Sequence, residues 1–180
     1  MNLRGNADGL ATPARLSFRC QPTAMLGTKQ LKRLGRDLTG SGRYEQAIVV
    51  FRDAIRLDAG DARLCDGLSY ALYMSCRFEE AITWSEKALS LDATDYFAAK
   101  NIGLCLAQLG RKVEAVDHLR QSIALKSDYF DAHHDLAIVL MDLARWDEAK
   151  QSIEAARRVN PSRSATLDKM LASIAGQTSG

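Results

Sequence analysis

"RYEQAIVVFRDAIRLD" runs from Arg43 to Asp58, and the chain then writes close variants of it three more times. "RFEEAITWSEKALSLD" occupies 77–92, "RKVEAVDHLRQSIALK" 111–126 and "RWDEAKQSIEAARRVN" 145–160. The starts Arg43, Arg77, Arg111 and Arg145 stand 34 residues apart each time. A fixed period of this length marks one supersecondary unit repeated along the chain.

Extending outward from these stretches, with Thr28 as position 1, gives units 28–61, 62–95, 96–129 and 130–163. Position 20 is then Ala47, Ala81, Ala115 and Ala149, and position 27 is Ala54, Ala88, Ser122 and Ala156. Position 7 holds Leu34, Leu68, Ile102 and Leu136; position 11 holds Leu38, Leu72, Leu106 and Leu140. Position 8 is always small: Gly35, Ser69, Gly103 and Ala137. Large residues at 7 and 11 fill a helix–helix seam, and small ones at 8 and 20 let the two backbones approach.

Inside each unit the apolar residues recur at intervals of three and four, as in Leu31, Leu34 and Leu38 or Ala47, Phe51, Ala54 and Ile55. That spacing is helical. Between the helices stand the breaks "TGSGR", "MSCR", "QLGR" and "DLAR". Gly42 and Gly110 fall where a left-handed C-cap is wanted, and Cys76 and Ala144 hold the same place less comfortably. Each unit therefore reads as a helix over positions 2–14, a tight turn, and a helix over 18–30. A lone pair of such helices cannot bury both its apolar faces, so the units must stack into a solenoid. The last unit needs a cap. Residues 164–176 supply it, with Leu167, Met170, Leu171 and Ile174 on one stripe.

The balance of residues agrees with a soluble, all-α chain. Of 180 residues, 47% are hydrophobic, 26% charged and 7% aromatic, with only three prolines. A net charge of +2 supplies no global field to recruit nucleic acid or an anionic membrane. No run reaches the ~18 apolar residues of a membrane-spanning helix. Residues 1–27 lack the apolar block of a secretory signal and read as a disordered tail, or as an over-extended start with Met25 as the true initiator. A cytoplasmic location is expected. The cysteines Cys20, Cys65, Cys76 and Cys105 form no metal-type pair, and read as small fillers in a reducing compartment.

The pattern resembles the tetratricopeptide repeat family across 28–163 and the capping helix. The resemblance implies an all-α, right-handed superhelical solenoid of antiparallel helix pairs. Departures are local: the family's aromatic at position 4 is replaced by Leu31, Cys65, Ala99 and His133, and its aromatic at position 24 survives only as Phe51. Its loop proline survives only as Pro161.

No catalytic constellation rises above background, so no enzyme activity and no cofactor are expected. "FDAHHDLAI" sets His133 beside His134, but adjacent helical residues point about 100° apart and cannot share one metal ion unaided. His133 faces inward as a packing histidine, and His134 faces the groove.

In this family the first helix of each unit lines a concave groove that takes peptides or helices. Carried onto this sequence, the groove face holds Lys29, Lys32, Arg33 and Arg36 from the first unit, and Arg63, Tyr70, Tyr73 and Met74 from the second. The third unit adds Phe97, Lys100, Asn101 and Leu104, and the fourth His134 and Ile138. Asp66, Gly67, Asp131, Asp135 and Asp142 share that face. One end is basic, the middle aromatic and apolar, the far end acidic. Tyr70, Tyr73, Met74, Phe97 and Leu104 would form an apolar strip of the sort monomers seldom leave without a use. Each buried large apolar group contributes roughly 1.5–3 kcal/mol. Three anchors therefore supply on the order of 5–9 before association costs, against about 8 net for micromolar binding. The basic end would set direction and on-rate.

The family's carboxylate clamp is absent, since its asparagine positions hold Arg36 and Gly67. An asparagine ladder at position 6 also fails, reading Arg33, Gly67, Asn101 and Asp135. The leading reading is a non-enzymatic adaptor, scaffold or small chaperone whose partner is a protein segment with an acidic end and an apolar middle. A homo-oligomer covering the strip is an alternative, as is an accessory arm of a transferase-like complex with catalysis on another chain. Nucleic acid is disfavoured by the acidic fourth unit.

Overall fold

Arg43–Asp58, the stretch that sets the repeat, forms α2 (Tyr44–Leu57). Ala47, Ile48, Val50, Phe51 and Ala54 make its buried face. Around it lie α1 (Thr28–Gly40), α3 (Ala62–Met74), α4 (Phe78–Leu91), α5 (Tyr96–Gln108), α6 (Lys112–Leu125), α7 (Phe130–Asp142) and α8 (Trp146–Val159). A short 3-10 turn (Pro161–Arg163) leads into α9 (Ser164–Thr178). The computed structural model describes residues 26–178, which form helices joined by short turns, with no strand among them. The expected tail falls on 1–27; its residues 1–25, with Cys20, lie outside the described residues. Leu26 packs against the core at the foot of α1.

The turn between the paired helices is the same four times over. Arg43 N donates to Leu38 O and Gly42 N to Thr39 O, and the set recurs from Arg77 and Cys76, Arg111 and Gly110, and Arg145 and Ala144. This double closure is the Schellman motif, which satisfies the last carbonyls of the helix and needs one residue in the left-handed region. That residue is Gly42 (φ 75°), Cys76 (φ 58°), Gly110 (φ 79°) or Ala144 (φ 56°).

Packing inside each unit turns on positions 8 and 24. A Cβ on Gly35 would meet the Phe51 ring at 2.7 Å, so the largest residue at position 24 faces the smallest at position 8. In the third unit a Cβ on Gly103 would meet Leu119 Cγ at 2.8 Å. The second unit solves the same contact with two buried serines, Ser69 and Ser85, whose hydroxyls hydrogen-bond at 2.5 Å. Three different pairs thus fill one kind of seam.

Each odd-numbered helix up to α7 also touches the next odd-numbered one, and more closely than successive even-numbered helices touch each other. The odd helices therefore lie on the inside of the curve, which makes the molecule a solenoid with a concave face. Long side chains bridge the outer row. Arg52 reaches Glu80 at 3.0 Å between the first two units, and Arg120 reaches Glu148 at 2.6 Å between the last two. At the corresponding places between the second and third units stand Glu86 and Glu114, two carboxylates. The buried core is continuous across that level. One cluster runs from Leu31 to Ala81 and takes in Cys105, another runs from Ile102 to Ile174 and includes Leu167 of α9, and Cys65, Ala88 and Ala98 pack together between them.

Candidate functional site

Two helix starts on the concave side, those of α3 and α5, are fixed by acidic caps. Asp61 accepts from Arg63 N at 3.0 Å at the foot of α3, and Asp95 accepts from Phe97 N and Ala98 N, both at 3.0 Å, at the foot of α5. Both caps stand at position 34 of their units, facing position 5. In the first unit this places Lys32 Nζ 2.5 Å from Asp61. In the third unit it places Lys100 Nζ 5.7 Å from the Tyr129 ring centre. In the second unit it brings two acids together, and Asp66 hydrogen-bonds Asp95.

That contact reshapes the chemistry of Asp66. Burial, the hydrogen bond to Asp95 and the nearby charges of Asp95, Asp61 and Asp92 push its carboxyl up to about 8. Near neutrality Asp66 holds a proton and donates it toward the Asp95 carboxylate, which the α5 backbone amides stabilise.

The expected groove residues fall into three environments. Lys29, Arg33, Arg36 and Arg63 are exposed, as is Ile138 at 42%. Lys32, Tyr70, Tyr73, Met74, Phe97, Leu104 and His134 are half-buried. Lys100 (7% exposed) and Asn101 (2%) are withdrawn from solvent. The Lys100 ammonium sits 5.2 Å from the Phe97 ring centre. Asn101 occupies in α5 the place that Gly67 occupies in α3.

The apolar strip is divided. Tyr70 turns to Phe97, with ring centres 6.2 Å apart, whereas Tyr73 packs on Phe78 at 5.8 Å and joins the core. Burial raises the Tyr73 phenol above its ordinary value. At the far end His134 Nδ1 lies 3.3 Å from Asp135, and its ring stacks on Phe130. His133 is buried and bonds Ser127 O at 2.9 Å through Nε2, the packing histidine its position implies. No group of His, Cys, Asp or Glu suited to a metal ion occurs among the described residues. Cys105 is fully buried, and desolvation pushes its thiol up to about 12.

Between the first units the groove deepens into a pocket of about 590 Å³. Arg36, Thr39, Gly40, Tyr44, Phe51, Arg63, Asp66, Gly67, Tyr70 and Phe97 line it. Gly67 lets the α3 backbone lie directly on the Phe51 ring at the base of the pocket, since a Cβ there would stand 2.4 Å from it. Tyr44 and Phe51 come from α2, the outer helix, and a reading of groove positions alone misses them. Phe51 at position 24 and Gly67 at position 6 of the next unit pack against each other across the repeat boundary, and the ring stays buried beneath the pocket.

Among family models, that of the tetratricopeptide repeat matches residues 32–96, and that of anaphase-promoting complex, cyclosome, subunit 3 matches residues 74–156. No curated protein matches the chain significantly. Among solved structures the chain is similar to Pseudomonas aeruginosa PilF, at 22% identity and a TM-score of 0.75, over 84% of this chain and 68% of that one. It is similar to a crystal structure of MamA at 21% identity and a TM-score of 0.71, over 81% and 84% of the two chains. It is also similar to YrrB, described as a TPR protein with an unusual peptide-binding site, at 19% identity and a TM-score of 0.64, over 83% and 76%. At these identities the likeness is one of fold. Among the described residues no helix is long and apolar enough to cross a membrane.

Proposed function

Because the chain belongs to the tetratricopeptide repeat family, we propose that it is a non-catalytic protein-interaction module, an adaptor, scaffold or small chaperone that holds a segment of another protein along its concave groove. The observation that carries the reading is the pocket at the basic end of that groove. Its walls are aromatic, and Arg36 and Arg63 stand at it exposed. Neither arginine is engaged in a salt bridge among the described residues, whereas Lys32 is held by Asp61 and Arg33 lies 3.9 Å from Asp37. Exposed arginines beside half-buried rings suit a partner with an acidic end and an apolar middle, since guanidinium groups pair with carboxylates and rings supply contact area. A cytoplasmic site of action is supported by Cys65, Cys76 and Cys105, which are free thiols.

The test is affinity capture from the native host, comparing wild type with a Tyr70→Ala, Phe97→Ala double variant whose helicity is checked by circular dichroism. Partners held by wild type and lost selectively from the variant support the groove. Identical partner lists overturn it and move the function to the outer face.

A further inference from the structure

The groove does not present one uniform surface to a peptide. In α5 position 6 carries Asn101, which is buried and closes the floor there. In α3 position 6 carries Gly67, and with no side chain there a recess forms over the buried Phe51 ring. The opening is wide enough, at about 590 Å³, to receive the largest side chains. Its walls are the rings of Tyr44, Tyr70 and Phe97 above Phe51. Flat rings pair with flat rings in offset or edge-to-face contact, so these walls favour an aromatic guest over a branched aliphatic one.

Charge decides what flanks the guest. Arg36 and Arg63 both line the pocket, exposed and outside any salt bridge among the described residues. The single carboxyl of the lining, Asp66, shares a proton with Asp95 and so does not cancel them near neutral pH. The pocket mouth is therefore net cationic.

We propose, resting on the groove-binding reading above, that the Gly67 pocket is a specificity site for one aromatic side chain of an extended partner segment, whose neighbouring Asp or Glu side chains seat on Arg36 and Arg63. The groove continues past the pocket over Met74 and Leu104, which admits an internal segment of a longer chain. The occupant is accordingly a protein segment with side-chain carboxylates beside its aromatic residue.

The experiment titrates the full ¹⁵N-labelled chain with acetyl-Glu-Glu-Tyr-Glu-Glu-amide, whose capped ends leave only side-chain carboxylates. Two control probes replace the tyrosine by alanine, or the glutamates by lysine. The expected result is chemical-shift change centred on Thr39, Gly67 and Tyr70, with binding weakened at least tenfold for either control. An Arg36→Glu, Arg63→Glu double variant, changed only at exposed positions, weakens the tyrosine probe at least fivefold. Gly67→Ala abolishes the preference for tyrosine over alanine, and the arginine variant keeps the test valid if that substitution disturbs packing on Phe51. Equal binding of the tyrosine and alanine probes, shifts that map elsewhere, or no response to arginine reversal would overturn the proposal. A captured partner lost from the Tyr70→Ala, Phe97→Ala variant alongside an indifferent probe would overturn the pocket alone and leave the groove reading standing.

Discussion

Cys76 and Ala144 hold backbone that suits glycine. With φ near 58° and 56° they sit in the left-handed region, which costs an L-residue roughly 1–2 kcal/mol. Glycine removes that strain but adds about 0.4–1 kcal/mol of unfolded-chain entropy. The strain wins. Cys76→Gly and Ala144→Gly should each stabilise by about 0.5–1 kcal/mol in urea unfolding, and Gly42→Ala and Gly110→Ala should each destabilise by a similar amount. Asp66 provides a second local test. Its carboxyl is raised from 3.8 to about 8 in the fold, so between those values the folded chain binds the proton that the unfolded chain has released. Stability contributed by the shared proton is therefore complete below pH 4 and is lost as pH rises toward 8. Over pH 6 to 9 wild type should lose on the order of 2 kcal/mol, and Asp66→Asn should be nearly flat over the same interval. A wild type as flat as the variant would remove the Asp66–Asp95 proton from the account.

The paired helices raise a question of volume rather than conformation. Position 8 against position 24 reads Gly35 with Phe51, Ser69 with Ser85, Gly103 with Leu119 and Ala137 with Ile153. Large meets small in each, except where two serines meet through a hydrogen bond. Gly35→Ala would drive a methyl into the Phe51 ring, a form of overpacking that costs about 1–3 kcal/mol. Combined with Phe51→Leu, which vacates the ring, the double variant should be more stable than the sum of the two single losses. Additive losses in a double-mutant cycle would show that the two residues do not share the seam. Single substitutions at the serine pair behave differently. Ser85→Ala strands the buried Ser69 hydroxyl and should cost roughly 1–3 kcal/mol, part of which Ser69→Ala, Ser85→Ala recovers. Thermal unfolding of the three variants reads the difference.

Across the whole chain, stability passes from unit to unit through shared faces. Leu167 and Ile174 of α9 are fully buried against the end of the array. Leu167→Ala should cost about 2–5 kcal/mol, and hydrogen exchange should quicken in α7 and α8 while α1 to α4 hold their protection. Uniform acceleration would mean a single cooperative body. The helices and their turns could be read from spacing, because a period of 34 residues and small residues at fixed places report geometry directly, and the concave face followed from the family resemblance. The pocket could not be read in that way, because its lining joins residues of three units. It depends on Gly67 of one unit packing bare backbone on the Phe51 ring of the previous one, a relation between repeats that no single repeat contains. The burial of Lys100 and Asn101 escaped the sequence for a related reason: position numbers say which way a residue points, and its neighbours decide whether water reaches it. The pair Glu86 and Glu114, between the second and third units, has an electrostatic meaning. Its counterparts on either side are oppositely charged and bridged, whereas this junction is held by the buried Cys65, Ala88 and Ala98 beneath two acids. Ionic strength therefore acts with opposite sign along the array: it weakens the junctions that Arg52 and Arg120 bridge and eases the one where two carboxylates stand in their place.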